Sequence, residues 1–319
     1  MNAVPRPTYP SADKRRRPAH PRVRFEAPQG AAAKAPNPTV AALVGQVDQP
    51  RLTASVKSLA AFPTRHSLSP KNVQVATWLR DQFLALGYTD VSLDDFSIDG
   101  LTRHNVVCTK RGTTDPTKFI LVGAHFDSRM SELANSTASA PGSDDNATGV
   151  AALLELGRVL RPTSAAHSVR FVAFSGEEQG LVGSTSYAAA AHAAGMDIQL
   201  MINLDMIGHP EDPVHPMIVV ERDMGNTTPA NDAASHAAAS RMALAAATYT
   251  SLHTHLGPIY DSDYMPFEHY GYVCIGAFDG ADGQPFYHST TDTPDKVHAG
   301  FHADVVRMVL ATMVEASGV

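Results

Sequence analysis

Five residues in this 319-residue chain have the types and setting to hold metal: His125, Asp145, Glu178, Asp205 and His288. Zinc takes imidazole nitrogen and carboxylate oxygen. A pair of zinc ions clamps both the attacking oxygen and the developing oxygen of a hydrolysis. Three carboxylates and one bridging hydroxide would offset the charge of two such ions. The set then leaves one neutral histidine for each ion, with Asp145 as the natural bridge. Glu177 and Glu178 are adjacent at a strand end, so their side chains diverge. Glu178 can ligate while Glu177 faces the bridging water as general base and later passes the proton to the leaving amine. Asp127 lies two residues after His125, placed to orient its imidazole.

The elements that must position these residues are short apolar strands between helices. Phe119–Gly123 leads into His125-Phe126-Asp127-Ser128. Val169–Phe174 leads into Ser175-Gly176-Glu177-Glu178, and Gln199–Leu204 into Asp205-Met206. Sites in open α/β sheets gather beyond the carboxyl ends of strands. One acidic residue or histidine at a strand end is ordinary, and His125 alone would read as a satisfied structural histidine. Several at separate strand ends, each after a buried apolar run, do not read as solvated surface. Further strands are expected at Asn105–Thr109, Met217–Val220 and Tyr272–Phe278. Helices are expected at Ala147–Leu160, Ser184–Ala194, Ala230–Thr248, Asp263–Tyr270 and Ala303–Ala316. Another helix starts at Ser69-Pro70, carries Val75, Trp78, Leu79, Phe83 and Leu86 at helical spacing and stops at Gly87. The pattern is that of an α/β domain with a largely buried central sheet.

Bulk properties narrow the class. With 44% hydrophobic residues the chain can bury one sizeable core. Its net charge of −7 argues against nucleic-acid binding through phosphate neutralisation. No run reaches the ~18 apolar residues of a membrane span. The N-terminus lacks the apolar stretch of a signal peptide. Cys108 and Cys274 sit in apolar surroundings and read as buried thiols. Residues 1–46, rich in Pro, Ala and Arg, read as a disordered arm in which Arg15 to Arg17 form a solvated charge run. The catalytic domain is then 47–319. His253 and His255 read as loop or surface residues near the pocket mouth.

Six segments occur together in order: His125-Phe126-Asp127-Ser128, Pro141-Gly142-Ser143-Asp144-Asp145-Asn146, Gly176-Glu177-Glu178, Leu204-Asp205-Met206, Ser262-Asp263-Tyr264-Met265-Pro266-Phe267 and His288-Ser289-Thr290-Thr291-Asp292-Thr293. Each is weak alone; the ordered set is specific. Over about residues 50 to 319 the chain resembles the co-catalytic zinc peptidases that include bacterial leucyl aminopeptidase, aminopeptidase Y and glutamate carboxypeptidase II. The resemblance implies a three-layer α/β/α, phosphorylase/hydrolase-like fold with a mixed, mainly parallel central sheet and metals at its carboxyl edge. It implies two Zn²⁺ per chain, Asp145 as the bridge, Glu177 as the base and a non-prolyl cis bond at Asp145–Asn146. It also implies an exopeptidase acting on peptides, and a secreted or periplasmic setting at odds with this N-terminus. The family's common histidine after Ser262-Asp263 is replaced by Tyr264. A tyrosine just upstream stabilises the oxyanion in one branch; Tyr260, one residue out of register, is the candidate here.

An aminopeptidase is the leading expectation. A carboxypeptidase shares the chemistry and differs in the terminus recognised. A one-zinc glutaminyl cyclase on a similar fold is disfavoured by the full five-residue set. An inactive, receptor-like member would have lost ligands or the base, and this chain has lost neither.

Overall fold

The computed structural model describes residues 23–24, 35–280 and 284–319. Most of the expected arm, with Arg15 to Arg17, lies outside the described residues. Its expected end at residue 46 is corrected. Helix α1 (Pro38–Val44) is capped by the Asn37 side chain and buries Val40, Leu43 and Val44 in the main core. Three apolar residues on one face of a capped turn outweigh a Pro/Ala-rich composition once a helical layer is there to receive them.

Helices α2 (Gln49–Ala60) and α3 (Lys71–Ala85) follow. Val75, Leu79 and Phe83 of the expected stripe are fully buried, while Trp78 and Leu86 pack at its margin. The helix begins just after Pro70, and the Ser69 hydroxyl accepts the Lys71 N–H at 3.3 Å.

The strands are β1 (Val23–Arg24), β2 (Val91–Ile98), β3 (Leu101–Lys110), β4 (Asp115–His125), β5 (His167–Phe174), β6 (Asp197–Leu204), β7 (Met217–Arg222), β8 (His253–Pro258) and β9 (Cys274–Phe278). They form one sheet in the order β1-β8-β7-β9-β6-β4-β5-β3-β2. Its centre, β5-β4-β6-β9, is parallel, and antiparallel pairs flank it. This is the mixed, mainly parallel sheet that was expected. His253 and His255, expected on a loop or surface, lie in β8, which pairs with β7 and β1, and His253 is exposed there. Cys108 and Cys274 are buried free thiols.

The remaining helices are α4 (Thr148–Leu160), α5 (Val182–Ala193), α6 (Asp232–Tyr249), α7 (Met265–His269) and α8 (Ala299–Ser317). Strand side chains alternate between faces. Ile120, Val122 and Ala124 of β4, with Val169, Phe171 and Ala173 of β5, enter the core shared with α1, α2, α3, α4, α6 and α8. Leu121, Val172 and Phe174 point the other way, to α5 and α7. Both faces are covered, which gives three layers. Among the described residues no helix is long and apolar enough to cross a membrane.

Candidate active site

Parallel pairing aligns the carboxyl ends of β4, β5 and β6. His125 pairs with Phe174 across β4–β5, and Gly123 with Asn203 across β4–β6. His125, the Glu177–Glu178 turn and Asp205 therefore emerge at one sheet edge. The loop before α4 brings Asp145, and the segment before α8 brings His288. The five candidate ligands are all buried, at 1–3% exposure.

Their geometry resolves into two triads sharing Asp145. His125, Asp145 and Asp205 offer ligand atoms within 4.8 Å of one another, and so do Asp145, Glu178 and His288. His125 Nε2 lies 3.2 Å from Asp145 Oδ1 and 3.3 Å from Asp205 Oδ1. His288 Nε2 lies 3.0 Å from Asp145 Oδ2 and 3.0 Å from Glu178 Oε2. One oxygen of Asp145 thus faces each histidine. A third grouping joins His125 with Glu177 and Glu178. In it Glu177 Oε2 stands 4.0 Å from His125 Nε2, farther than either aspartate, so Glu177 lies outside the two triads.

Burial alone would lower the His125 pKa. The charges of Glu177 and Asp205 overcome it and hold the ring well above its ordinary value. His288 is raised in the same way by Glu178 and Asp145, against burial. Packed carboxylates that draw protons onto two imidazoles mark a place built for positive charge. Glu178 Oε1 is buried without a hydrogen-bond partner. Imidazole and carboxylate donors converging with such a spare atom fit the chemistry of zinc.

The supporting shell is mostly backbone. His125 Nδ1 faces the Asp127 carbonyl oxygen at 3.2 Å, an atom that only accepts, so Nδ1 carries its proton and Nε2 points to the carboxylates. The Asp127 side chain also helps to raise the His125 pKa. Its carboxylate is 3.7 Å from Nδ1, beyond hydrogen-bond reach. That carboxylate instead accepts the N–H groups of Glu177 and Glu178 and the Ser67 hydroxyl. Asp292, in the last motif, does not hold His288. Its two oxygens accept the N–H groups of Asp144 and Asp145, at 2.9 and 3.1 Å. Burial and the Asp144 charge push Asp292 up to about 8. Asp144 lies outside the three candidate groups and accepts from Gly208 N–H and Gln284. The Asp145–Asn146 bond is cis.

Arg65 and Arg129 lie beside the candidate ligands, and no motif pointed to them; Ser262 stands in a quoted motif that gave it no role. Arg65, fully buried, donates to the carbonyls of Phe126 at 2.6 Å and Gly142 at 2.8 Å, and to that of Pro141. It ties the His125 loop to the Asp145 loop. Gly142 is required there: its φ is +53°, and a Cβ would stand 2.4 Å from the Asp145 carbonyl oxygen. Ser262 donates to Asp205 Oδ2 at 2.6 Å. Arg129 donates to Glu178 Oε2 at 2.8 Å. Burial lowers the Arg65 pKa to about 10, with Asp292 opposing most strongly.

Tyr264 is swallowed by the fold. Its hydroxyl accepts the Tyr260 N–H at 2.8 Å and contacts Glu221 Oε1 and the Tyr260 carbonyl at 3.0 and 2.9 Å. Tyr260 is half-buried, and its backbone is held by this hydroxyl.

A covered, mainly parallel sheet with an acidic and imidazole cluster at its carboxyl edge defines an α/β protein of metallohydrolase type. The chain belongs to Peptidase family M28, whose profile matches residues 105–313. It is 32% identical over 194 residues to a protein of Pyricularia oryzae described as "Probable zinc metalloprotease", covering 55% of this chain and 39% of that one. The chain thus spans about two fifths of that curated relative. The fold is similar to that of the LapA aminopeptidase of Legionella pneumophila, with a TM-score of 0.75 at 19% identity over 88% of this chain and 74% of that one. It is also similar to a Bacteroides thetaiotaomicron glutaminyl cyclase, with a TM-score of 0.69 at 19% identity over 84% and 97%. Fold alone does not separate these two chemistries; the site residues must.

Proposed function

We propose that this protein is a zinc-dependent aminopeptidase that hydrolyses N-terminal residues from peptides. The observation that carries the reading is the pair of triads sharing Asp145. In it His125 and Asp205 would hold one ion, Glu178 and His288 the other, and Asp145 would be shared between them. When bound, zinc supplies Lewis acidity for the scissile carbonyl and makes water a stronger acid. Glu177, beside the triads rather than in them, takes the proton from the attacking water and returns it to the leaving amine. Asp127 holds the turn that carries Glu177 and Glu178. Tyr260 is assigned to the oxyanion or the substrate. The folded unit, α1 included, serves as one catalytic domain, and its partners are peptides rather than nucleic acid.

Glutaminyl cyclase chemistry is the second reading, because the fold is shared. The second triad counts against it, since that chemistry is expected to need one zinc. The test is metal content of the purified protein together with hydrolysis of leucyl-p-nitroanilide before and after chelation. Two zinc per chain with chelator-sensitive release supports the proposal. Two zinc without release, but with cleavage of N-blocked peptides, replaces it with a carboxypeptidase. A single zinc overturns it in favour of the cyclase.

A further inference from the structure

The two triads match in donor type, each adding one imidazole and one carboxylate to the shared Asp145. They differ in the charge standing behind those donors. Beside the first, Glu177 Oε2 is 4.0 Å from His125 Nε2, and the outer oxygen of Asp205 accepts the hydroxyl of Ser262 at 2.6 Å. Against the second, the Arg129 guanidinium donates to Glu178 Oε2 at 2.8 Å, and that same oxygen is 3.0 Å from His288 Nε2. Arg129 and Glu178 are nearly solvent-free, with side chains 6% and 1% exposed. A second Arg129 donor reaches the Met130 carbonyl at 3.1 Å.

We propose that Arg129 weakens cation binding at the Asp145–Glu178–His288 triad and so sets the order in which the two halves of the site fill. This rests on the two-metal reading above. A guanidinium one carboxylate away repels a divalent ion and draws electron density from the oxygen it bonds. Buried charges are poorly screened by water or salt. Glu177 stands near both His125 and Glu178, so it does not cancel this one-sided repulsion. An arginine that merely aimed Glu178 would do the reverse, because losing an orienting partner costs a metal site about 10–100-fold in affinity. The two roles therefore predict opposite signs for one substitution.

The experiment is stepwise addition of zinc chloride to chelator-stripped protein, followed by calorimetry, with cobalt(II) absorption as a parallel readout. In the wild type two equivalents bind with dissociation constants about 10–100-fold apart. Arg129→Gln, which drops the charge but keeps an N–H donor, tightens the second equivalent about tenfold and leaves the first in place. Arg129→Lys keeps the charge and the wild-type gap, which holds the test open if the glutamine variant does not fold. Equal affinities in the wild type overturn the proposal while leaving the two-metal reading intact. A looser second equivalent in Arg129→Gln, or a closed gap in Arg129→Lys, overturns it likewise. Fewer than two equivalents in the wild type overturns the two-metal reading itself, and this proposal with it.

Discussion

The Glu178 backbone N–H donates to Asp127 Oδ2 at 3.2 Å, across the gap between two strand ends. The same carboxylate accepts from the Glu177 N–H at 3.4 Å through its other oxygen. Asp127 therefore holds the turn that carries Glu177 and Glu178, while its backbone carbonyl faces His125 Nδ1. Asp127→Asn replaces one acceptor by an NH₂ that faces a donor. A fall in kcat/KM of about 10–100-fold is expected, with zinc content retained. Wild-type kcat/KM in this variant would remove the positioning role.

Glu177→Gln keeps the shape of the site and loses the proton acceptor. The expected result is full zinc occupancy by mass spectrometry and turnover reduced by about 10²–10⁴-fold. Turnover near that of the wild type would end the assignment of Glu177 as base.

Tyr264→Phe tests whether the buried Tyr264 hydroxyl is structural. The change removes the hydroxyl that engages Glu221 and both polar groups of the Tyr260 backbone. A loss of about 1–3 kcal/mol in urea unfolding is expected. An unchanged unfolding midpoint would show that the buried hydroxyl contributes nothing to stability.

His302 gives the stability a pH dependence away from the metal cluster. It is fully buried with Nε2 at 3.0 Å from the Thr148 carbonyl oxygen, and burial lowers its pKa from 6.5 to about 4. Between those values the unfolded chain binds a proton that the folded chain does not. Stability therefore declines as pH falls through that window, by about 3 kcal/mol at its lower end. Urea midpoints of chelator-stripped protein from pH 7 to 4 measure this, and His302→Gln flattens that part of the slope. An equal slope in the variant would exclude His302 as the source.

Much of the site was legible because its residues follow local signals. The apolar runs before His125, Glu177 and Asp205 are strands by composition, and parallel strands between helices place their ends at one edge. The ordered motifs carry the family resemblance, which the M28 match to residues 105–313 bears out. Other features depend on segments distant in sequence, which periodicity does not encode. Helix α1 looks like part of a low-complexity arm until a helical layer buries Val40 and Leu43. Strand β8, His253-Thr254-His255-Leu256-Gly257-Pro258, has too little apolar content to declare itself, and it is a strand because β7 pairs with it.

The sequence by itself determined which residue types reach the sheet edge: two histidines, three candidate ligand carboxylates and the adjacent Glu177. Tertiary structure alone decided how they divide. The two oxygens of Asp145 face different histidines, Asp292 grips the Asp145 loop, and Arg129 stands behind one triad only. These relations are set by distances of a few ångströms between side chains from separate loops. Hydrogen bonding and charge are that short in range, so the relations exist only once the whole sheet has brought the loops together.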